Sequence, residues 1–433
     1  MTSALPPGKA FVLVWLPWLA GLQSIPHTGA LRTALLVIGI GHVLWLWRQA
    51  PPAEHVLAGK REGWLFLALT AWLLLQAALF APAPPTALAS LVGEWGRVIL
   101  MGALGVTLVR FYGGAQGRWL AVALFAGSFL HVLSTLALQV GPLARGGELV
   151  FGDSLLGNYG YVSPFTTTAC AWLLADGVSR LWRRQGLFPW PAAVSAVLAL
   201  ATLAAEALLR AKAGQVMTVA LVVACVAAFV ARSGPRRRHG ALLLAAMLVA
   251  ALTLVAIGGE RWQGAVESMT TAWNDPAATK ALTRWEDGPS PAHGLDASFY
   301  LRAAWAKMGL EGIARHPWGL GYGADAFGRY VTERYGVTGA ISSHSGWIDF
   351  ALANGLLGLV LLLAVAVALM RRGWRAFLSG EPAGAALALL VFHYIGRCLI
   401  DGILTGSRLT GFALVVGIVW GLAARNRDAT GPG

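Results

Sequence analysis

The sequence predicts an all-α polytopic membrane protein with about 12 transmembrane helices and one large periplasmic loop that contains amphipathic helices. Of its 433 residues, 57% are hydrophobic and only 12% are charged, whereas soluble proteins carry roughly 25% charged residues. The mean hydropathy is +0.63. The apolar residues also gather in runs long enough to cross about 30 Å of hydrocarbon as helices.

Twelve runs meet this length requirement. They lie near residues 9–25, 30–48, 63–81, 91–110, 118–140, 161–182, 189–208, 213–232, 240–258, 343–370, 384–404 and 409–425. The N-terminal region at the first run has one basic residue, Lys9, and eleven more runs follow, so we interpret the first run as a transmembrane helix and not as a cleaved signal peptide. The cysteines Cys170, Cys225 and Cys398 all fall within apolar runs, which predicts neither a disulfide framework nor a metal cluster.

Basic residues set the expected orientation. With the N-terminus in the cytoplasm, alternation of the spans places 18 of the 33 Lys and Arg residues on the cytoplasmic side, as the positive-inside rule predicts. The C-terminus is then cytoplasmic as well. Membrane topology thus accounts for the net charge of +13, and we expect no nucleic-acid partner.

The chain divides into three predicted parts. Residues 1–258 hold transmembrane helices 1–9, residues 259–342 form the large non-cytoplasmic loop, and residues 343–433 hold helices 10–12 with a short cytoplasmic tail. The loop has eight Lys or Arg and nine Asp or Glu residues. It is too long for a simple connector, and long loops in compact proteins are usually functional or disordered.

Helical spacing marks one segment of this loop, FYLRAAWAKMGLEGIARHPWG, which we expect to end at Pro317. We expect it to be amphipathic, with two faces that carry Leu301, Trp305 and Met308 on one side and Phe299, Arg302 and Ala306 on the other. The later string of Gly319, Gly321 and Gly323 follows a helix and not a strand, so it predicts a turn and not a dinucleotide site.

His344 stands where the loop meets the tenth span, in the sequence SSHSGWIDF. Ser342 or Ser343 can cap the helix that follows, which would hold the imidazole in its first turn. One interpretation is an interfacial histidine with a local hydrogen bond. The other is a general base or proton relay, since a histidine pKa of about 6.5 allows proton uptake near neutrality and a helix N-terminus disfavours the charged ring.

Several basic residues are expected on the same side as His344. Arg210 and Lys212 lie in the turn between spans seven and eight, and Arg302 lies in the loop helix. A guanidinium group matches a phosphate group through two parallel hydrogen bonds. The alternatives are an i,i+4 pair with Glu206 for Arg210 and a solvated helix face for Arg302. Arg145, in an earlier outer loop, is a weaker candidate.

Span eleven has polar residues at a spacing of four: His393, Arg397 and Asp401. Arg397 and Asp401 can form an ion pair within the helix, and isolated charges there would cost roughly 2.5–3.5 kcal/mol each. Asp401 lies near the outer end of the span and can also orient His344 or hold a hydroxyl group. No metal-binding or nucleotide-binding motif occurs in the sequence, so we predict neither a metal nor another cofactor.

The outer side of a membrane lacks a supply of ATP or nucleotide sugars. A transfer reaction there needs a donor that carries its own leaving group, and a lipid-linked diphosphate is suitable. Arginines can stabilise the departing pyrophosphate without a metal ion. If the transferred group is a sugar, a base on the face opposite the leaving group can deprotonate the hydroxyl group of the acceptor. Attack from that face would invert the anomeric centre of the sugar.

Two stretches, LRAAWAKMGLEGIARHPWGLGYGADAF and SSHSGWIDFALANGLLGLV, resemble the O-antigen ligase/polymerase family. They contain an arginine-led helix, a glycine-rich turn after a proline, and a histidine that opens a membrane helix with two later glycines. The segment LLRAKAG at 208–214 is similar to an earlier arginine motif of the family, with Leu209 where the family usually has serine.

The resemblance implies transfer of a glycan, the O-antigen, from undecaprenyl pyrophosphate to lipid A–core in the periplasmic leaflet of a bacterial inner membrane. It implies that Arg210 and Arg302 contact the pyrophosphate, that His344 is catalytic, and that Asp401 is a supporting carboxylate. Lys212 and Arg145 are further supporting candidates.

Alternatives within the family are an O-antigen polymerase and a protein O-oligosaccharyltransferase, although one dominant outer loop favours the ligase. From a different class, a lipid-linked oligosaccharide flippase or transporter would need polar residues near the membrane midplane and repeated halves.

Overall fold

A computed structural model describes residues 8–49, 61–112, 117–230, 240, 242, 245–249, 252, 264–274, 295–323, 325–337, 339–404 and 406–429. The helices in these ranges are α1 Lys9–Gly21, α2 Gly29–Gln49, α3 Arg61–Leu75, α4 Pro84–Tyr112, α5 Gly117–Ala144, α6 Tyr159–Arg183, α7 Ala192–Leu209, α8 Lys212–Val230, α9 Ala265–Asn274, α10 Ala297–Arg315, α11 Ala326–Tyr335, α12 Gly346–Leu378, α13 Pro382–Cys398 and α14 Gly406–Ala429. A short antiparallel pair, β1 Asp153–Ser154 and β2 Gly157–Asn158, precedes α6.

The helices confirm an all-α polytopic membrane protein. Among the described residues, eight helices are long and apolar enough to cross a membrane, and these are α2, α3 with its π-helical extension, α4, α5, α7, α8, α12 and α14. Two apolar helices, α1 and α13, are shorter, and α6 has 25 residues. The ninth predicted run, 240–258, lies largely outside the described residues, so the count of twelve stays a prediction.

The membrane helices pack closely because small residues stand where their backbones meet. Helix α4 runs along α14, α12 packs on α13 and α3, and α6 contacts α5, α7 and α13. A Cβ atom on Gly384 of α13 would lie 2.4 Å from the Gly373 carbonyl oxygen of α12. Small residues at such crossings allow the close approach on which helix association in membranes depends.

Helices α9, α10 and α11 lie within the segment predicted as the large loop. Asp296 caps α10 by accepting a 3.1 Å hydrogen bond from the Phe299 N–H. The helix ends at Arg315, and His316 is its C-cap just before Pro317. A buried apolar cluster holds α10 and α11 against α12, with Tyr300, Ala304, Met308, Phe327, Tyr330, Val331 and Leu352 among its members.

The turn after α10 docks into a break in α12. Gly355 has φ 72° and ψ 170°, which interrupts the helix. The Leu320 N–H donates to the Leu352 carbonyl at 2.8 Å, and the Leu356 N–H donates to the Pro317 carbonyl at 2.9 Å. These bonds satisfy backbone groups that the break would otherwise leave unpaired, so the loop is joined to the membrane helix at a fixed place.

Two glycines make this docking possible. Gly319 has φ 91°, and a Cβ atom there would lie 2.5 Å from the Gly355 nitrogen. A Cβ atom on Gly355 would lie 2.6 Å from the Trp318 carbonyl carbon. The predicted turn is therefore present, and Gly319 allows its close backbone contact with α12.

Candidate functional site

The SSHS turn lies immediately before α12. The helix begins at Gly346 with Ser345 as its N-cap, and the Ser345 side chain makes no capping hydrogen bond. His344 has φ 58°, in the left-handed region, which an L-residue cannot continue as a right-handed helix. The expectation that Ser342 or Ser343 caps the helix and that His344 lies in its first turn is therefore wrong. The histidine precedes the helix.

Asp349 holds this turn in place. One carboxylate oxygen accepts from the Ser342 hydroxyl at 2.7 Å, and the other accepts from the Ser343 N–H at 2.9 Å. The Ser342 Oγ in turn accepts from the His344 N–H at 3.0 Å. A carboxylate near the N-terminus of α12 is also favoured by the helix dipole. Asp349 and Ser342 thus stabilise the strained backbone of His344.

The His344 ring stacks on Trp305 of α10. The ring centroids are 5.0 Å apart and the planes are inclined by 18°. His344 is exposed, so its remaining surface is open to a ligand. The buried indole Nε1 of Trp305 has no hydrogen-bond partner among the described residues. An aromatic face and an unused donor therefore accompany the histidine.

Arg302 and Asp401 complete the surroundings of His344. The Arg302 guanidinium donates to the Ile400 carbonyl, and the Gly346 N–H donates to the Asp401 carbonyl at 3.2 Å. Arg302 and Trp305 are three residues apart and so share one side of α10, although we expected them on different faces. The structure brings α10, the start of α12 and the segment after α13 together at one end of the bundle.

The pKa of His344 is lowered from its ordinary value. Partial burial is the largest cause, and the positive charge of Arg302 acts in the same direction. The carboxylates of Asp401 and Asp349 raise the pKa and offset these effects only in part. A lowered pKa keeps the imidazole neutral at pH 7, which is the form that accepts a proton.

The charge of Arg302 should have a measurable effect on the pKa of His344. In Arg302→Gln, the pKa of His344 should rise, because a cation that disfavours the imidazolium is removed. The measurement is the rate at which diethyl pyrocarbonate, which reacts with neutral imidazole, modifies the His344 peptide as a function of pH, read by mass spectrometry. The midpoint should move to higher pH in Arg302→Gln and stay unchanged in Arg315→Gln, whose side chain is exposed on the same helix. A midpoint unmoved in Arg302→Gln would show that Arg302 does not act on His344.

Asp401 also belongs to a buried polar network. Helix α13 ends at Cys398, so Asp401 lies beyond it, and its carboxylate oxygen is 3.3 Å from two nitrogens of Arg397. The predicted pairing is confirmed, but the expectation that both residues lie within the helix is wrong, because α13 ends before Asp401. The side chain of Arg397 is only 2% exposed and donates to Ser163 at 3.2 Å and Thr167 at 3.1 Å.

The network continues into α7. One carboxylate oxygen of Glu206 accepts from Thr167 at 2.9 Å and also from Thr166. On α13, the His393 Nε2 lies 3.1 Å from the Thr168 hydroxyl. Helices α6, α7 and α13 are thus joined by polar contacts that reach Asp401 beside His344.

Lys212 connects the turn between α7 and α8 to α10. Its ammonium group is 2.7 Å from the Asp296 carboxylate and 4.1 Å from the centre of the Phe299 ring. Partial burial is the largest single effect and would raise the pKa of Asp296. The hydrogen bond and charge of Lys212, together with the N–H groups of Phe299 and Ser298, outweigh it, so the pKa is lowered. Because Asp296 also caps α10, Lys212 fixes the end of the helix that carries Arg302.

Arg210 lies in the same turn between α7 and α8. It is the C-cap of α7 with φ 49°, and its guanidinium carbon is 3.5 Å from the centre of the Phe151 ring. Arg145 is exposed, and its Nε–H donates to the Gly141 carbonyl at 3.2 Å. The structure brings His344, Arg302 and Asp401 to one end of the bundle and ties Lys212 to the start of α10. Arg210 packs on Phe151, and Arg145 lies in the turn after α5.

Within the described ranges, no group of three or more His, Cys, Asp and Glu side chains has the arrangement of a metal site. Metal independence stays a prediction from the sequence.

Together these features define a helical polytopic membrane protein. At one end of its helix bundle lies a histidine with a lowered pKa, close to arginine and carboxylate side chains. Residues 195–363 match the family model described as O-antigen ligase. The matched segment contains Arg210, Arg302 and His344, and the match confirms the resemblance to the O-antigen ligase family. It points to a glycosyltransferase-like membrane enzyme. No match was found among curated proteins.

Proposed function

We propose that this protein is an O-antigen ligase, which transfers a glycan from undecaprenyl pyrophosphate to a sugar of lipid A–core. The observation that carries the proposal is the position of His344 on Trp305 with Arg302 and Asp401 beside it. His344, Trp305 and Arg302 lie inside the segment that matches the family, and Asp401 lies outside it. We place the protein in the bacterial inner membrane with this site facing the periplasm and both termini in the cytoplasm.

In the proposed reaction, a hydroxyl oxygen of the acceptor attacks the anomeric carbon of the first sugar of the donor. The bond from that carbon to the pyrophosphate oxygen breaks, and the undecaprenyl pyrophosphate leaves with the bonding electrons. The imidazole of His344 takes the hydroxyl proton as a general base. Attack from the face opposite the leaving group inverts the anomeric centre.

Arg302 and Arg210 are the proposed contacts of the leaving group. A guanidinium group remains charged and presents planar donors that match phosphate oxygens, so it can stabilise the negative charge that develops on the pyrophosphate without a metal ion. Lys212 supports them indirectly, because its contact with Asp296 fixes the start of α10. Asp401 limits the pKa decrease of His344, and Arg145 remains a weaker candidate.

The proposed reaction gives a role to each of the three predicted parts of the chain. Residues 1–258 and 343–433 supply the membrane helices, and residues 259–342 supply Arg302 and Trp305 over the membrane surface.

A polymerase would use the same donor with a second lipid-linked glycan as the acceptor, and a protein O-oligosaccharyltransferase would use a peptide.

A reconstituted assay with three acceptors tests the proposal. Purified protein in proteoliposomes receives an undecaprenyl-pyrophosphate-linked glycan together with lipid A–core, a second lipid-linked glycan, or a peptide rich in serine and threonine. We expect glycosylated lipid A–core as the main product. Preferential elongation of the second glycan would indicate a polymerase, and glycosylation of the peptide would indicate a protein transferase. Movement of the donor across the membrane without any transfer would indicate a flippase.

A further inference from the structure

A cavity of about 110 Å³ lies directly behind the His344 turn. Its lining comes from α3, α4, α11, α12, α14, the loop before α11 and the segment between α13 and α14, and Ser342 and Asp349 form part of the wall. A water molecule needs roughly 10–15 Å³ on the same measure. The cavity therefore has room for a ligand group of several non-hydrogen atoms and not for a chain of several sugars.

The acidic side chains of this wall are Glu94 and Asp349. Glu94 on α4 accepts a 3.3 Å hydrogen bond from the Tyr322 hydroxyl, and Asp349 accepts from Ser342 at 2.7 Å. Burial beside Glu94 raises the pKa of Tyr322, so its hydroxyl remains protonated. The lining residues in the part of the chain that the structure describes include two carboxylates and neither lysine nor arginine.

Asn354 supplies an unused group at the same cavity. The residue is 3% exposed, and its amide nitrogen donates to the Phe350 carbonyl at 3.2 Å. Its Oδ1 has no hydrogen-bond partner among the described residues. A buried acceptor without a partner is costly in a folded protein, and the hydroxyl group of a ligand would satisfy it.

Charge indicates which ligand this lining suits. Carboxylates and an amide oxygen accept hydrogen bonds from hydroxyl groups, whereas they repel a pyrophosphate. Trp95, Phe327 and Phe350 provide apolar surface against the C–H faces of a ring, and pockets of this composition bind small molecules through a few placed polar groups. The cavity therefore differs in chemistry from the arginine side of the site.

We propose that this cavity binds one neutral, hydroxyl-bearing sugar ring of the acceptor and so presents a neighbouring hydroxyl group to His344. The proposal rests on the proposed function. Ser342 connects the two places, because it lines the cavity and its Oγ accepts from the His344 N–H at 3.0 Å. Glu94 and Asn354 are the residues that select the acceptor, and Arg302 and Arg210 act on the donor.

The test uses the near-isosteric variants Glu94→Gln and Asn354→Leu, with Glu148→Gln as a control on an exposed loop. Transfer rates are measured at saturating donor while lipid A–core is varied, and then at saturating acceptor while the donor is varied. We expect the KM for lipid A–core to rise about tenfold or more, as befits loss of a hydrogen bond to a charged or buried group. The KM for the donor and the thermal unfolding midpoint should stay close to wild type.

A second measurement does not depend on turnover. Free core oligosaccharide, without its lipid, should raise the thermal unfolding midpoint of the wild-type protein and of Glu148→Gln, and it should have little effect on Glu94→Gln or Asn354→Leu. If wild-type protein transfers glycan and both cavity variants keep the wild-type KM for lipid A–core, the cavity assignment is wrong and the ligase function stands. A rise in the KM for the donor alone would also overturn it. Absence of transfer by the wild type refutes the function separately.

Discussion

In His344→Ala, we expect glycan transfer to fall by about 10²–10⁴-fold, the usual contribution of a positioned general base, while the protein still folds and binds the lipid-linked donor. The side chain is exposed, and its contact is the stacked ring of Trp305, so its loss removes little packing. The measurement is single-turnover transfer to lipid A–core, with donor binding determined on the same preparation.

The backbone of His344 requires a matched control. Because φ is 58°, alanine there carries the cost of a left-handed conformation, which asparagine tolerates better. His344→Asn should therefore keep the turn and still lose transfer. His27 is an exposed histidine with φ 61°, and His27→Asn should transfer at the wild-type rate. Wild-type transfer by His344→Asn would eliminate the histidine as the base.

In Arg397→Leu, we expect a loss of about 3–5 kcal/mol in the free energy of unfolding, because the change leaves buried carboxylates without their cation. Arg397 is 2% exposed and contacts Asp401, Ser163 and Thr167. The thermal unfolding midpoint in detergent, measured at one scan rate, should fall by several degrees. Removal of a cation should matter more than removal of packing, since leucine still fills much of the space.

Two further variants separate charge from packing. The double variant Arg397→Leu with Asp401→Asn should recover part of the lost stability, because the carboxylate that pairs with Arg397 is removed. Arg371→Leu, at an exposed position of α12, should stay within about 0.5 kcal/mol of wild type. An unfolding midpoint of Arg397→Leu equal to that of wild type would mean that the buried network contributes nothing to stability.

The architecture follows from hydropathy because each membrane helix must satisfy its own backbone hydrogen bonds and present apolar side chains to lipid. Each run of sequence carries this information by itself, and for this reason helices occupy all eleven predicted runs that lie mainly within the described residues. The break in α12 at Gly355 was not predicted, since it depends on the turn of Pro317 that meets it from far along the chain.

The site could be predicted only where residue type carries the signal. His344 and Arg302 stand out as a base and a cation beside apolar sequence, and the structure brings them together. The roles of Asp349 and Trp305 depend on how α10 and α12 cross. A carboxylate four residues after Ser345 and an aromatic residue three after Arg302 are weak signals, and neither spacing reveals that both approach one histidine.

The cavity could not be predicted from the sequence, because it too depends on how the helices pack. Its wall combines Glu94 of α4, Tyr322 of the loop and Asn354 of α12, and only tertiary packing makes them neighbours. The predicted ion pair of Arg397 and Asp401 needed no such knowledge, because a spacing of four suffices near a helix end.

The central claim is most directly tested by the product of one reaction. Purified wild-type protein is reconstituted with an undecaprenyl-pyrophosphate-linked glycan of known anomeric configuration and lipid A–core, in the presence of a chelator, and the new glycosidic bond is analysed by nuclear magnetic resonance. We predict that glycosylated lipid A–core forms with inverted configuration and that one undecaprenyl pyrophosphate is released for each glycan transferred. Retention of configuration, or no transfer from this donor, would contradict a single displacement assisted by His344.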